Sequence, residues 1–160
     1  MSKSYSYNYE NVELYRKLLC DEWSKIKWEW FVSNELPPYS SSFLLEYVEK
    51  ILKKWRVSLS TKNHITISYV GLMVTSKITG NHIHLLMFGR NKDGQTLLDM
   101  DEREWEREWN DLTHKGSHIE RVRDTGVIDY MTNEKNTPPG HFELIIPYNK
   151  KYLEKYRCSN

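Results

Sequence analysis

Residues 65–88, ITISYVGLMVTSKITGNHIHLLMF, contain two apolar segments separated by a polar turn. The first segment, 65–74, is rich in β-branched residues and is punctuated by glycine and threonine, which favours a strand over a helix. The TGN sequence at 79–81 is typical of a turn, and the apolar segment 82–88 follows it. Two strands joined in this way predict an antiparallel hairpin.

The segments on both sides of the hairpin carry their own periodic patterns. Aromatic content, helical spacing of apolar residues and strand alternation predict four elements, which are a strand over 27–33, a helix over 42–56, a helix over 99–112 and a strand over 118–123. Serine at the start of the first helix is a favourable N-cap. Asp99 and Glu102 have the spacing of a capping box at the start of the second helix.

The resulting order, β-α-β-β-α-β, predicts an α+β fold. It is the order of the ferredoxin-like, split βαβ type, with a central antiparallel sheet of about five strands, helices on one face and an open second face that can carry a site. The additional elements are a leading helix over 11–23, a short late helix over 127–135 and a last strand over 142–146. We expect a single domain over 1–160, with a flexible arm over 1–9 and a charged tail over 148–160.

The net charge of the chain is only +1, so no overall field draws it onto a polyanion. Binding to a nucleic acid would therefore depend on local cations and on stacking against aromatic side chains, which make up 13% of the residues. The candidates are Tyr5, Tyr7 and Tyr9 on the arm and Arg121 and Arg123 on the late strand. The alternative for each is an ordinary surface residue.

The two cysteines, Cys20 and Cys158, form neither a disulfide scaffold nor a metal-type pair. They are interpreted as free thiols in a reducing cytosol, which predicts a cytoplasmic protein. No apolar run approaches the roughly 18–20 residues that span a bilayer, and the polar N-terminus is unlike a secretory signal. The sequence therefore predicts no membrane partner.

His82 and His84 begin the second strand of the hairpin. Because side chains alternate along a strand, both imidazoles point to one face, whereas Ile83 and Leu85 point to the other face, towards the helices. Two imidazoles at this spacing can share one metal cation. The alternative is a pair of partly buried structural histidines.

Three stretches together resemble the motifs of the HUH endonucleases, and most closely those of the rolling-circle replication initiators of small plasmids and viruses. They are WFVSN at 30–34, GNHIHLL at 80–86 and YMTN at 130–133. The second motif is the specific one. The resemblance extends from about Trp28 to about Lys135.

The resemblance implies a metal-dependent nicking and joining enzyme for single-stranded DNA. Two histidines and a third polar ligand would hold Mg²⁺ or Mn²⁺, which polarises the scissile phosphodiester. Tyr130 would attack the phosphorus and become joined to the 5′-phosphate, releasing a 3′-hydroxyl, so that the strand can later be rejoined. In a helix over 127–135, Tyr130 would lie beside the face that docks on the sheet.

The sequence departs from the family pattern at two places. The family often has lysine three residues after the tyrosine, where this chain has Asn133, and Lys135 is the candidate substitute in the catalytic set. The family also usually supplies an acidic or histidine ligand before the hairpin turn, where residues 74–77, VTSK, contain no carboxylate. Glu29 on the first strand is the remaining candidate for the third metal ligand.

The expected substrate is single-stranded DNA at a replication origin. The chain contains no phosphate-binding G-x-x-x-x-G-K-[ST] loop, so helicase and polymerase are expected from the host. Two other functions stay open. One is a non-catalytic single-stranded nucleic-acid-binding module on the same fold, and the other is a metal phosphoesterase that uses water instead of tyrosine.

Overall fold

The structure is a computed structural model that describes residues 21, 25–75, 80–124, 126 and 141–148, with the backbone alone for 41, 42 and 141–148. The predicted arm, the predicted late helix and the tail beyond residue 148 lie outside the described residues. The predicted leading helix also lies outside them, apart from Asp21 and its helical backbone.

The described chain forms one antiparallel sheet with two long helices. In chain order the elements are β1 (Trp30–Glu35), α1 (Ser41–Asn63), β2 (Thr66–Thr75), β3 (His82–Arg90), a 3₁₀ turn (Leu97–Asp99), α2 (Glu102–Thr113), β4 (Ser117–Arg121) and β5 (His141–Tyr148). The strand order is β4-β1-β3-β2-β5, and every neighbouring pair is antiparallel. The predicted α+β class is confirmed.

The predicted hairpin is present and places β3 at the centre of the sheet. Its register runs from Thr66 opposite Arg90 to Val74 opposite His82. On one face, Ile83 and Leu85 join a buried cluster to which both helices contribute. The largest helix side chains in this cluster are Trp55, Trp105 and Trp109, all at most 1% exposed. Burial of apolar area on this scale is the main stabilising contribution to a fold of this size.

Helix α1 is longer than predicted at its C-terminal end. The prediction ended near residue 56, but Leu59 continues the buried stripe one turn beyond Trp55 and is fully buried. The helix ends where His64 adopts a left-handed conformation and donates its N–H to the Ser60 carbonyl. At the other end the N-cap is a serine, Ser40, as expected, but its hydroxyl makes no capping hydrogen bond.

Helix α2 begins three residues later than predicted. Its N-cap is Asp101, whose carboxylate accepts the N–H of Arg103. The capping box is one turn earlier, between Thr96 and Asp99, and it closes the 3₁₀ turn. The predicted pairing of Asp99 with Glu102 was therefore wrong, because Asp99 is the last residue of the capping box, at position N3, and not its first.

The second face of the sheet is mostly apolar and buried, contrary to the expectation of an open face. Val70, Leu72 and Leu86 lie on this face and are at most 1% exposed. The reason is visible in the sequence of β3, which is a nearly continuous apolar run instead of an alternating one. On β3 itself, the two histidines place polar side chains on this face where the strand begins. No helix in the described ranges is long and apolar enough to cross a bilayer.

Candidate metal and nucleic-acid site

His82 and His84 lie together on the sheet face opposite the two helices. Their ring centroids are 4.8 Å apart and the ring planes meet at 72°. His82 is partly exposed, whereas His84 is only 6% exposed. The shared face that strand alternation predicts is present, and two imidazoles at this separation can approach a common cation.

Each ring is oriented by a contact at Nδ1. The Nδ1 of His82 lies 3.0 Å from the carbonyl oxygen of Gly80, which can only accept, so a hydrogen bond there requires Nδ1 to carry the proton. The Nδ1 of His84 lies 3.0 Å from the Ser33 hydroxyl, which can accept in the same way. In neutral rings of this tautomer the lone pair of each imidazole is on Nε2, the atom that would face a metal.

Strand β1 supplies the support for His84. Ser33 is the register partner of His84, which explains how its hydroxyl reaches the ring. Phe31, two residues earlier on the same face, stacks on His84 with centroids 5.4 Å apart and planes at 25°. Both residues belong to the first sequence motif, but only the register shows that they hold this histidine.

The backbone beneath the pair is tightly packed. A Cβ at Gly71 would lie 2.4 Å from the carbonyl oxygen of His84, so only glycine lets β2 approach β3 here. Just before the start of β3, Asn81 donates its side-chain amide to the carbonyls of Pro37 and Tyr39 at 2.9 and 3.1 Å. Its own carbonyl accepts the N–H of Leu36. These bonds hold the start of the histidine strand against the β1–α1 loop.

Glu29, the predicted third ligand, is not brought to the histidines. Its buried carboxylate accepts the N–H of Gly89 at 2.9 Å and that of Leu97 at 3.3 Å, and it forms an ion pair with Arg90. Gly89 is five residues from His84 along β3, or about 16 Å at a strand rise of roughly 3.3 Å per residue. In the structure, the Glu29 carboxylate therefore forms hydrogen bonds and an ion pair at the end of β3 that is opposite to the histidines.

Glu35 is the carboxylate that sequence reasoning missed at the histidine end. It is the register partner of His82, so its side chain starts on the same face. Its carboxylate lies 3.4 Å from the N–H of Gly116. Within the described ranges no group of three or more His, Cys, Asp or Glu side chains is already gathered in a metal-binding arrangement. Pairing register is the signal that identifies Glu35, and it is not visible in the sequence.

The two predicted DNA-binding arginines have different surroundings. Arg121 donates Nε to Glu102 at 2.8 Å and a terminal nitrogen to the Leu98 carbonyl at 2.9 Å, so its guanidinium is engaged with the start of α2. Arg123 is exposed. Both line a cavity of about 610 Å³ beside Phe31. The cavity therefore lies next to the ring that stacks on His84, whereas the Arg121 guanidinium is held on the helix face of the sheet, opposite to Phe31.

Exposed aromatic side chains lie near the beginning of α1. Tyr39 is 48% exposed and Phe43 is 69% exposed, and the rings of Tyr39 and Tyr47 meet edge to face at 5.5 Å. Burial, together with the neighbouring Tyr39, raises the pKa of Tyr47. Asn81 links this loop to the histidine strand, so these exposed rings lie beside the start of β3, and the sequence analysis did not single them out.

The remaining predicted site residues lie outside the described residues. They are the catalytic candidates Tyr130, Asn133 and Lys135 and the arm residues Tyr5, Tyr7 and Tyr9. Their roles stay predictions.

No family model matches this chain, and no curated protein and no solved structure is significantly similar to it.

Proposed function

We propose that this protein is an HUH-type endonuclease that nicks and rejoins single-stranded DNA through a covalent tyrosine intermediate. The observation that carries the proposal is the pair His82 and His84, 4.8 Å apart on one face, with each Nδ1 in contact with an oxygen. Contacts of this kind fix the orientation and tautomer of metal-binding histidines in proteins.

We also propose that the fold is ferredoxin-like. The order β4-β1-β3-β2 places β1 and β2 on both sides of β3, antiparallel to it, so they are parallel to each other and α1 connects them. In the same way β3 and β4 are parallel on both sides of β1, and α2 connects them. Two split βαβ units of this kind support the assignment.

The donor set suits a divalent cation such as Mn²⁺ or Mg²⁺. Imidazole nitrogens are acceptable to Mn²⁺, and hard cations also require oxygen ligands. Among the described carboxylates, Glu35 is the one paired with His82, and we propose that rotation of its side chain supplies the third ligand. When bound, the cation would polarise the scissile phosphodiester.

The chain itself supplies the orienting groups and the nucleophile. His82 and His84 would hold the cation, while Ser33 and Phe31 keep His84 in position. In the proposed reaction the Tyr130 phenol loses its proton and forms a bond to phosphorus. The bond from phosphorus to the 3′-oxygen breaks, and that oxygen leaves as a 3′-hydroxyl after taking up a proton. Reversal of these steps rejoins the strand.

The proposed substrate is single-stranded DNA at a replication origin in the cytoplasm of a host cell, with helicase and polymerase supplied by the host. The 610 Å³ cavity and the exposed ring of Tyr39 support a strand-binding surface around the histidines. Stacking of bases on such rings contributes roughly 1–3 kcal/mol per base.

A gel assay tests the reaction. Labelled single-stranded origin DNA is incubated with the protein and Mn²⁺ and separated under denaturing conditions. We expect a protein–DNA adduct that is lost in Tyr130→Phe. It should be retained in Tyr39→Phe, a control that keeps the exposed ring for stacking and removes only its hydroxyl. Cleavage without an adduct would indicate the water-dependent phosphoesterase. Binding without cleavage in any divalent metal would indicate the non-catalytic module.

A titration with Mn²⁺ tests the ligand set. We expect His82→Ala and Glu35→Gln to weaken Mn²⁺ binding, measured by calorimetry, and Glu29→Gln to leave it unchanged. Loss of affinity in Glu29→Gln but not in Glu35→Gln would reverse the assignment of the third ligand.

A further inference from the structure

We propose that the cavity beside Phe31 binds one unpaired base of the DNA strand, next to the scissile phosphate, and that it prefers guanine. The inference rests on the proposed function and adds a specificity site to it. The cavity of about 610 Å³ is lined by Phe31, Glu120, Arg121, Val122, Arg123 and Asp124.

The position of the cavity connects it to the histidine pair. Phe31 lines the cavity and stacks on His84. Glu120 is the register partner of Phe31, so it starts on the face that carries His84. Phe31 and Ser33 are two residues apart, about 7 Å at roughly 3.3 Å per residue, so the cavity is one short step along β1 from the site. A base in the cavity would belong to a nucleotide close to the phosphate at the histidines.

The size and the apolar lining fit a planar base. The volume is within the range of roughly 300–1,000 Å³ that is common for ligand pockets. The apolar part of the lining is the half-buried Val122 and the edge of Phe31, whose ring is 7% exposed and stacks on His84. Unpaired bases are commonly recognised in this way, with their faces against apolar or aromatic groups and their edges available for hydrogen bonds.

The charged lining favours guanine among the four bases. Arg123 is exposed and makes no ion pair or hydrogen bond within the described residues, so its guanidinium can turn to a ligand. Arginine donates two bonds to O6 and N7 of guanine, the commonest specific arginine contact with a base. Guanine also presents the donors N1–H and N2–H₂, and the carboxylates of Glu120 and Asp124 can accept from them.

The carboxylates are held in place by their own contacts. Glu120 lies 2.8 Å from the Nε2 of His118, and Asp124 accepts the N–H of Gly126 at 2.8 Å. Arg121 is held by Glu102. Of the two arginines that line the cavity, Arg123 is therefore the one whose side chain is able to reorient, and we assign the guanine preference to it.

Binding of short oligonucleotides tests the proposal without any reaction. Fluorescence anisotropy is measured in EDTA with oligothymidylates that carry one central dG, dA, dC or 7-deazaguanine. We expect the dG oligonucleotide to bind about 5- to 100-fold more tightly than the dA and dC ones, the effect of one bidentate pair. The 7-deazaguanine oligonucleotide lacks N7 and should lose most of that advantage.

Two variants complete the test. Arg123→Ala should abolish the dG preference, and Arg103→Ala, at an exposed arginine on α2, should retain it. Equal binding of all four oligonucleotides would overturn the proposal. An Arg123→Ala variant that binds all four oligonucleotides more weakly by the same factor would also overturn it, because a contact to phosphate has that effect. Since the assay needs neither metal nor Tyr130, a failure of the nicking reaction remains distinguishable from a failure of the cavity.

Discussion

The buried carboxylate of Glu29 provides the most direct test of the structure. It accepts the N–H groups of Gly89 and Leu97 and pairs with Arg90, and it joins the end of β3 to the 3₁₀ turn before α2. Glu29 is 4% exposed. Glu29→Gln conserves the shape of the side chain and removes its charge. It also replaces one acceptor oxygen with an NH₂ group, which faces the N–H donors that the carboxylate had accepted.

The expected loss can be worked out from these contacts. Removing one partner of a buried ion pair costs about 3–5 kcal/mol, because the other charge stays desolvated. The Arg90 side chain is 28% exposed, so water recovers part of that cost. Glutamine also retains one oxygen for the Gly89 N–H. We therefore expect the free energy of unfolding to fall by about 2–3 kcal/mol, with each kcal/mol lowering Tm by roughly 2–4 °C in a chain of this size.

Urea denaturation followed by tryptophan fluorescence measures the change. Glu46→Gln is the control, since Glu46 is exposed on α1 and should change stability by less than about 0.5 kcal/mol. If Glu29→Gln lowers the free energy of unfolding by less than about 0.5 kcal/mol, the hydrogen bonds and ion pair of Glu29 do not stabilise the fold as described. A variant of normal stability that has lost Mn²⁺ affinity would show instead that Glu29 is a metal ligand.

Three further substitutions test the packing around the histidines. Gly71→Ala should lower the free energy of unfolding by about 1–3 kcal/mol in thermal or urea denaturation, because the new Cβ would overlap the His84 carbonyl. Unchanged stability would contradict the close approach of β2 to β3 at this position. Ser33→Ala should weaken Mn²⁺ binding by about 10- to 100-fold in calorimetry, whereas Ser58→Ala on α1 should not. Asn34 is fully buried, and its side-chain amide has no hydrogen-bond partner in the described structure. Asn34→Leu should therefore raise the free energy of unfolding by about 1 kcal/mol in urea denaturation. A decrease would show that the amide is hydrogen-bonded in the folded protein.

The periodic elements were predictable because their patterns are local. The β2–β3 hairpin follows from two apolar segments and a turn, and α1 and α2 follow from apolar stripes. The ends of the helices were less predictable. Helix α1 continues past polar residues because Leu59 packs in the core, and the cap of α2 is Asp101 because the 3₁₀ turn occupies the preceding capping box. Both outcomes depend on tertiary packing or on competition between neighbouring caps.

The sequence by itself determined that His82 and His84 share a face, since the two-residue period of a strand is a property of the backbone. Only the tertiary structure decided what surrounds them. The register of β1 against β3 places Ser33 and Glu35 opposite the histidines, and the pairing of β1 with β4 builds the cavity beside Phe31. The tertiary structure also buries the Glu29 carboxylate at the other end of β3. Register is set by how distant segments bury their apolar faces together, so it is encoded in the whole chain and not in any local pattern.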